Sequence, residues 1–137
     1  MQTIGSIDLQ DARRVIAAGE AAAVGAVGQP MNIAVVDAGG DLVAHVRMDG
    51  AWRGSVAISI DKAFTARAFD ITTKDLGENS QPGAQFYGIH ASNNGRIMIF
   101  AGGIPLTRDG VVVGAVGVSG GTGEQDQRVA EAAAEAF

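Results

Sequence analysis

Hydrophobic positions recur every three to four residues in three parts of the chain, which predicts three helices. The first helix is expected over residues 8–27, where Asp8 is placed to cap it and Gly28 to end it. The second is expected over 52–69 and the third over 124–137. The apolar face predicted for the second helix consists of Ala57, Ile60, Phe64 and Ala68.

Short runs rich in β-branched residues predict strands between these helices. The runs over 31–37 and 42–48 flank a glycine-bearing turn, which is typical of a β-hairpin. Three more runs cover 96–101, 104–108 and 111–119. The elements do not alternate strand with helix as a parallel sheet requires. The pattern therefore predicts an α+β fold with an antiparallel sheet of about five strands and three helices packed on it.

Residues 70–95 contain many Gly, Asn, Ser and Thr residues and too few apolar ones to specify a long element. Short helical turns and loops are expected there. Long irregular segments inside compact domains often carry binding or lid functions. This segment is therefore the first place to look for a site.

Composition limits how such a fold can be stabilised. The chain of 137 residues suits one domain, and 47% of it is hydrophobic, but only 5% is aromatic and 20 residues are glycine. Close backbone packing must replace the contact area that aromatic rings usually supply. We therefore expect a single domain, residues 1–137, that gains from association into a homo-oligomer with an even number of subunits.

Charge and cysteine content exclude several classes of function. The net charge of −5 disfavours nucleic acid and anionic membranes as partners, and the absence of cysteine removes disulfides and thiolate metal sites. The first residues lack the basic and apolar regions of an export signal, and no apolar stretch is long enough to span a membrane. A cytoplasmic location is expected.

Candidate chemistry is sparse and centres on the irregular segment. His45 and His90 are the only histidines, and they are too far apart in sequence to form a helical zinc pair. Either one could supply the single axial ligand that haem requires. His90 is favoured because it lies in the irregular segment, whereas His45 lies in a predicted strand. Lys62 and Arg96 are the candidate cations for a ligand carboxylate.

The glycine-rich run over 117–123 joins a predicted strand to the last helix. Free backbone N–H groups in such a turn can hold a phosphate or a carboxylate. The run lacks the lysine of a phosphate-binding loop, and too little chain follows it for a dinucleotide-binding unit. A carboxylate such as a propionate is the more reasonable ligand.

Several motifs together match a known family. They lie at residues 32–42, 62–66, 102–106 and 113–121, followed by Asp126 near the start of the last helix. In this order and spacing, the chain resembles the GlcG/HbpS family of haem-binding proteins over nearly its whole length. The family motifs correspond to Lys62, Thr65, Gly102, Gly103, Pro105, Gly120, Gly121 and Asp126.

The resemblance implies a profilin-like α+β fold, homo-oligomers, and haem or a related tetrapyrrole as ligand in some members. One such domain is attached to corrinoid adenosyltransferases. Some secreted members act in redox sensing, with haem degradation reported for part of the family, but the export signal they carry is missing here. Members that use a His and a Cys near the first helix as haem ligands have no counterpart in this chain.

These observations lead to one site hypothesis and three functional ones. A pocket is expected between the helix over 52–69, the segment 87–94 and the Gly102-Gly103 turn, close to a subunit boundary. Its cofactor-binding residues would be His90, Lys62, Arg96, Tyr87, Asn93, Gly102 and Gly103, with His90 as the metal ligand. The chain is then a tetrapyrrole-binding protein, a small-molecule enzyme that uses Lys62 or His90 as a general acid or base, or a cofactorless oligomeric scaffold.

Overall fold

A four-stranded antiparallel sheet forms the centre of the computed structural model, which describes residues 1–137. The elements in chain order are α1 (Leu9–Ala22), β1 (Asn32–Asp37), β2 (Leu42–Arg47), α2 (Ser55–Phe69), α3 (Thr73–Glu78), β3 (Gly103–Arg108), β4 (Val111–Ser119) and α4 (Gly123–Glu135). The strands lie in the order β2-β1-β4-β3, so β2 and β3 are the edges. The α+β class is confirmed.

The first predicted helix is confirmed together with both of its end signals. The carboxylate of Asp8 accepts a hydrogen bond from the backbone N–H of Asp11 at 2.9 Å, and the carboxylate of Asp11 accepts one from the backbone N–H of Asp8 at 3.1 Å. A π-helical turn, Ala23–Val27, continues α1. Gly28 then ends it with a φ of 71°, a backbone conformation that favours glycine.

The predicted strand over 96–101 is wrong, so the sheet has four strands and not five. The backbone of this segment finds partners outside the sheet. The N–H of Met98 donates to Oγ1 of Thr65 on α2 at 3.0 Å. Gly77 of α3 lies so close to the carbonyl of Ile99 that a side chain there would overlap it. Strand propensity is overridden because α2 and α3 occupy the flanks of the segment.

The sheet is covered on both faces. α1 and α4 pack on one face over an apolar cluster of 15 buried residues that includes Ile33, Val116 and Val129. α2 packs on the other face, where the buried cluster has only five members. Four of them are alanines: Ala34, Ala63, Ala66 and Ala115. The two faces are therefore packed with side chains of different size.

α2 lies unusually close to the sheet because two glycines face it. Gly103 of β3 pairs directly with Gly117 of β4. A Cβ at Gly103 would lie 2.6 Å from the carbonyl oxygen of Lys62, and a Cβ at Gly117 would overlap that of Ser59. The helix backbone thus rests on strand backbone, which leaves room only for small side chains or for long ones that run past the glycines.

The apolar face predicted for α2 is consequently wrong. Ala57 and Ala68 are exposed, and Ile60 and Phe64 are half-buried. The residues buried on α2 are Ser55, Ser59, Lys62, Ala63, Thr65 and Ala66. Two of their hydroxyls bond to the helix itself, Ser59 to the carbonyl of Val56 at 2.8 Å and Thr65 to that of Asp61 at 2.7 Å. The sheet face of α2 thus combines small side chains with Lys62, and of the predicted apolar face only Ile60 packs against the buried cluster.

None of the helices has the length and apolar character that crossing a membrane requires.

Candidate functional site

Lys62 and Asp126 form a buried ion pair between α2 and α4. Nζ of Lys62 lies 2.9 Å from Oδ2 of Asp126 and donates to the carbonyl of Val118 at 2.8 Å. The Lys62 side chain has no exposed surface, and that of Asp126 is 3% exposed. The side chain of Lys62 passes beside Gly102, where a Cβ would lie 2.8 Å from Nζ. The pair joins helices from opposite faces of the sheet.

Burial and pairing act in opposite directions on both charges. Burial lowers the pKa of Lys62, and the charge of Asp126 and its hydrogen bond partly offset that effect. Burial raises the pKa of Asp126, while the Lys62 ammonium and the N–H groups of Gly121 and Gly120 oppose the rise. The ammonium is sealed from solvent and bonded to two acceptors. Nζ of Lys62 therefore has no contact with solvent in this structure, and its role as a general acid or base stays a prediction.

The glycine-rich turn before α4 does hold a carboxylate, but one from the same chain. Oδ1 of Asp126 accepts from the N–H of Gly120 at 3.1 Å and from that of Gly121 at 2.9 Å. These are donors that were expected to bind an external phosphate or propionate. The turn is therefore satisfied internally.

Gly102 and Gly103 form part of the wall around Lys62. Gly102 has a φ of 124°, and its N–H donates to Oε1 of Gln127 at 3.0 Å. The N–H of Gly103 donates to Oγ1 of Thr73 at 2.8 Å. The ring centroid of Phe100 lies 4.5 Å from Nζ of Lys62, and Phe100 remains 46% exposed. Phe100 thus covers the ion pair on one side and meets solvent on the other.

The irregular segment presents an aromatic and imidazole surface. The rings of Tyr87 and His90 are stacked, with centroids 5.8 Å apart and planes inclined by 22°. Tyr87 is 57% exposed, and its neighbour Phe86 is 45% exposed. His90 lies in a 3₁₀ turn, Ile89–Ala91, and is also exposed. A planar ligand has access to this surface without any change in the core.

Asn93 and Arg96 lie at the end of that segment nearest α2. Asn93 is exposed, and its side-chain amide donates to Oγ of Ser92 at 3.1 Å. Nε of Arg96 bonds to Oδ1 of Asp61 at 3.0 Å, and its guanidinium carbon lies 3.8 Å from the ring centroid of Phe64. The Arg96 side chain is still 41% exposed. Arg96 is thus anchored to α2 and keeps donors available to solvent.

The seven residues predicted for the site separate into two groups. Lys62, Gly102 and Gly103 belong to the buried network, and Tyr87, His90, Asn93 and Arg96 belong to the exposed segment. Lys62 is paired with Asp126 inside the protein, whereas Arg96 keeps an exposed guanidinium. All seven assignments stay predictions.

Two exposed aromatic residues were missed by the sequence analysis, Phe86 and Phe100. The aromatic content of the sequence could have pointed to these two residues. The chain has only seven aromatic residues, and five of them are at least 41% exposed: Trp52, Phe69, Phe86, Tyr87 and Phe100. In so aromatic-poor a chain, aromatic residues within an irregular segment are candidates for contact with a partner.

His45 occupies a structural position between β2 and α2. Its Nε2 lies 3.2 Å from Oγ of Ser59. Because that hydroxyl gives its proton to the carbonyl of Val56, it accepts from His45, so Nε2 carries the proton. Burial lowers the pKa of His45 and favours the neutral ring. His45 is therefore held against α2 through Nε2.

A surface pocket of about 570 Å³ opens on the α4 side of the Gly102 turn. Its lining residues are Lys74, Ala101, Gly123, Glu124, Gln127, Arg128 and Glu131. This pocket differs from the one predicted between α2 and residues 87–94, since none of its lining residues comes from either element.

Comparison with known proteins matches nearly the whole chain. The family model described as haem degrading protein HbpS-like matches residues 7–135. The 15.0 kDa protein of the dhaT-dhaS intergenic region of Citrobacter freundii is 43% identical over 99% of this chain and 95% of its own. These matches confirm the family resemblance read from the motifs.

Two solved structures share the fold. The ORFY protein of Klebsiella pneumoniae is 39% identical, with a TM-score of 0.96 over 99% of this chain and 93% of its own. The PduOC:heme complex is 34% identical, with a TM-score of 0.90 over 96% of this chain and 94% of its own. The second structure shows the fold together with haem in a related protein.

Proposed function

Since the chain belongs to the family of haem-degrading HbpS-like proteins, we propose that it binds haem or a related tetrapyrrole at the exposed segment carrying Tyr87 and His90. A structural relative that forms a complex with haem supports this proposal. The same proposal includes a homo-oligomer, since five of the seven aromatic residues are exposed on a single copy.

The stacked rings of Tyr87 and His90 are the observation that carries the proposal. Imidazole is a common axial ligand of haem iron, and His90 presents one at the surface. Exposed aromatic faces bind flat, apolar ligands by stacking and by removing apolar area from water. Phe86 adds a further ring beside Tyr87 in the chain.

The donor set of the segment fits haem with one protein ligand to the iron. The chain contains no cysteine, and His90 lies in the exposed segment beside Tyr87, whereas His45 lies on β2 with Nε2 bonded to Ser59. We therefore take His90 as the ligand to the iron. Arg96 offers the exposed guanidinium for a propionate, because Lys62 is paired internally. Bound haem would supply an iron centre capable of redox chemistry.

Haem titration followed by absorbance spectroscopy tests the proposal. We expect wild-type protein to develop a Soret band and His90→Ala to lose affinity or shift the band, while His45→Ala keeps both. Both variants should retain the wild-type circular dichroism spectrum. An unchanged band position and affinity in His90→Ala would refute the ligand assignment. A wild-type protein that binds no tetrapyrrole would refute the function.

A further inference from the structure

Arg96 is fixed to α2 through its side chain and its backbone. Nε of Arg96 donates to Oδ1 of the half-buried Asp61 at 3.0 Å. The guanidinium carbon lies 3.8 Å from the ring centroid of Phe64, a distance at which a cation and an aromatic face attract each other. The backbone carbonyl of Arg96 accepts a hydrogen bond from Oγ1 of Thr65 at 3.3 Å. Residues of α2 thus set the position of the guanidinium.

Phe64 is itself held in place and therefore gives Arg96 a firm support. The residue is half-buried on α2, and its ring lies next to the turn between β1 and β2. A Cβ built on Gly40 of that turn would lie 3.6 Å from Cδ2 of Phe64. Gly40 has a φ of 82°, a conformation that favours glycine, so the turn comes close to the ring without a side chain between them.

The backbone that leads to Arg96 is also closely specified. Asn93, Asn94 and Gly95 have φ values of 51°, 56° and 76°, so three consecutive residues have a positive φ. This conformation is costly for most residues, and asparagine and glycine tolerate it best. The N–H of Arg96 closes the turn by donating to the carbonyl of Asn93 at 3.1 Å. The chain therefore leaves the exposed aromatic segment and returns to α2 within one tight turn.

The anchoring of Arg96 uses one edge of the guanidinium and leaves another edge open. Asp61 occupies Nε, while neither terminal amino group has a hydrogen-bond partner in the chain, and the side chain is exposed. Two such amino groups donate parallel hydrogen bonds that match the two oxygens of a carboxylate. Arg67 of the same helix differs, because Asp70 and the carbonyl of Ala38 already accept from it. Arg96 is therefore arranged to receive a carboxylate from outside the chain.

We infer that Asp61 and Phe64 are positioning residues, which hold Arg96 so that its two amino groups bind one free carboxylate of the tetrapyrrole. The inference rests on the proposed function and adds a ligand requirement to it. Haem meets this requirement through its propionates, whereas a tetrapyrrole with only ester or amide side chains, as in corrinoids, does not. Because Arg96 is already ordered, binding does not have to immobilise it, which is worth about two- to tenfold in affinity.

The positioning role of Asp61 is opposite to the effect of its charge. A carboxylate beside Arg96 repels an anionic ligand, so charge alone predicts tighter binding of haem with any neutral replacement. Positioning instead predicts a difference between two neutral replacements. Asp61→Asn keeps an oxygen that can accept from Nε of Arg96, whereas Asp61→Ala removes the acceptor and lets the guanidinium move away.

Haem and haem dimethyl ester form a matched pair of ligands for the test, because esterification removes both carboxylates and leaves the macrocycle and the iron unchanged. Absorbance titrations give two dissociation constants, and the ratio of the ester value to the haem value measures the contribution of the carboxylates. This ratio should be about tenfold higher in wild type than in Arg96→Gln. Asp61→Asn should keep or raise the wild-type ratio, and Asp61→Ala and Phe64→Leu should lower it about twofold or more.

Arg13→Gln controls for the loss of a positive charge elsewhere on the protein. Arg13 is an exposed residue of α1, on the opposite face of the sheet from α2, and takes part in none of the four ion pairs. The variant should keep the wild-type ratio. A general loss of structure would weaken the binding of both ligands together, so the ratio separates positioning from a purely structural role. Thermal unfolding without ligand confirms that each variant is folded.

The outcomes separate this inference from the proposed function. If wild type binds both ligands with the ratio found in Arg96→Gln, the inference is overturned while the haem site stands. If Asp61→Ala keeps or raises the wild-type ratio, Asp61 acts through its charge and the positioning role is overturned. A wild-type protein that binds neither haem nor its ester would refute the proposed function and this inference together.

Discussion

Nζ of Lys62 and Oδ2 of Asp126 lie 2.9 Å apart in a site closed to solvent, although the two residues are separated by 64 positions in the chain. The contact links the helix on one face of the sheet to the helix on the other. Its energy rests on mutual compensation, because each charge would be costly to bury without its partner.

Removal of one partner should therefore be more damaging than removal of both. We expect Lys62→Met to lower the free energy of unfolding by about 3–5 kcal/mol, since Asp126 is left buried without its counter-charge. The Lys62→Met/Asp126→Leu double variant should lose much less than the sum of the two single changes. Urea unfolding of the four proteins measures this coupling. Additive effects would show that the pair contributes no joint stabilisation.

The N–H groups that bind the carboxylate of Asp126 should bind a carboxylate from solution when that side chain is removed. Asp126→Ala leaves the N–H groups of Gly120 and Gly121 without an acceptor, and it leaves the ammonium of Lys62 bonded only to the carbonyl of Val118. We expect formate to restore about 1 kcal/mol of stability to this variant when its concentration is several times the dissociation constant. Thermal unfolding at matched ionic strength, with sodium chloride as the control salt, provides the measurement. Equal stabilisation of wild type by formate would contradict a site-specific effect.

His45 should make stability depend on pH in the mildly acidic range. Its folded-state pKa is lowered from 6.5 by burial. A lowered pKa means that the unfolded chain takes up the proton more readily. The stabilising contribution is therefore complete above pH 6.5 and is lost as the pH falls through the lowered value. Urea unfolding above and below this range should show a smaller loss in His45→Gln than in wild type. Parallel pH profiles would contradict the assignment.

Gly117 should tolerate no side chain. Gly117→Ala places a methyl group against the carbonyl of Ser59 and the N–H of Ala63, so α2 must move away from the sheet. We expect a loss of about 1–3 kcal/mol or more, the usual cost of overpacking. Gly25→Ala is the matched control, since a Cβ there meets no atom within 4 Å. Similar melting temperatures for the two variants would show that the close contact is not required.

Residues at the ends of an element were sufficient to predict that element where they cap a helix or form a tight turn. Asp8 and Gly28 bracket the first helix, and Gly110 lies in the turn between β3 and β4. These residues act on backbone close to them, so their effect is visible in sequence. The fold class followed from the resulting order of elements.

Contacts between distant segments could not be predicted in the same way. The face of α2 depends on Gly103 and Gly117, which lie far from it in the chain and decide how close the helix comes. The run over 96–101 has the composition of a strand, but Thr65 supplies the partner that a neighbouring strand would otherwise provide. The spacing of hydrophobic residues in the sequence shows which positions are apolar, but it does not show which part of the fold will cover them.

The glycine contact between α2 and β4 also has a consequence for local dynamics. Where the backbone of α2 packs directly on that of β4, no flexible side chain lies between them to absorb a small displacement. The helix therefore cannot separate from the strand gradually. The amides at the centre of α2 and β4 should exchange with solvent deuterium only when the whole domain opens, whereas those of residues 81–95 exchange through local fluctuations. The most protected part of the chain is thus the one with the smallest side chains.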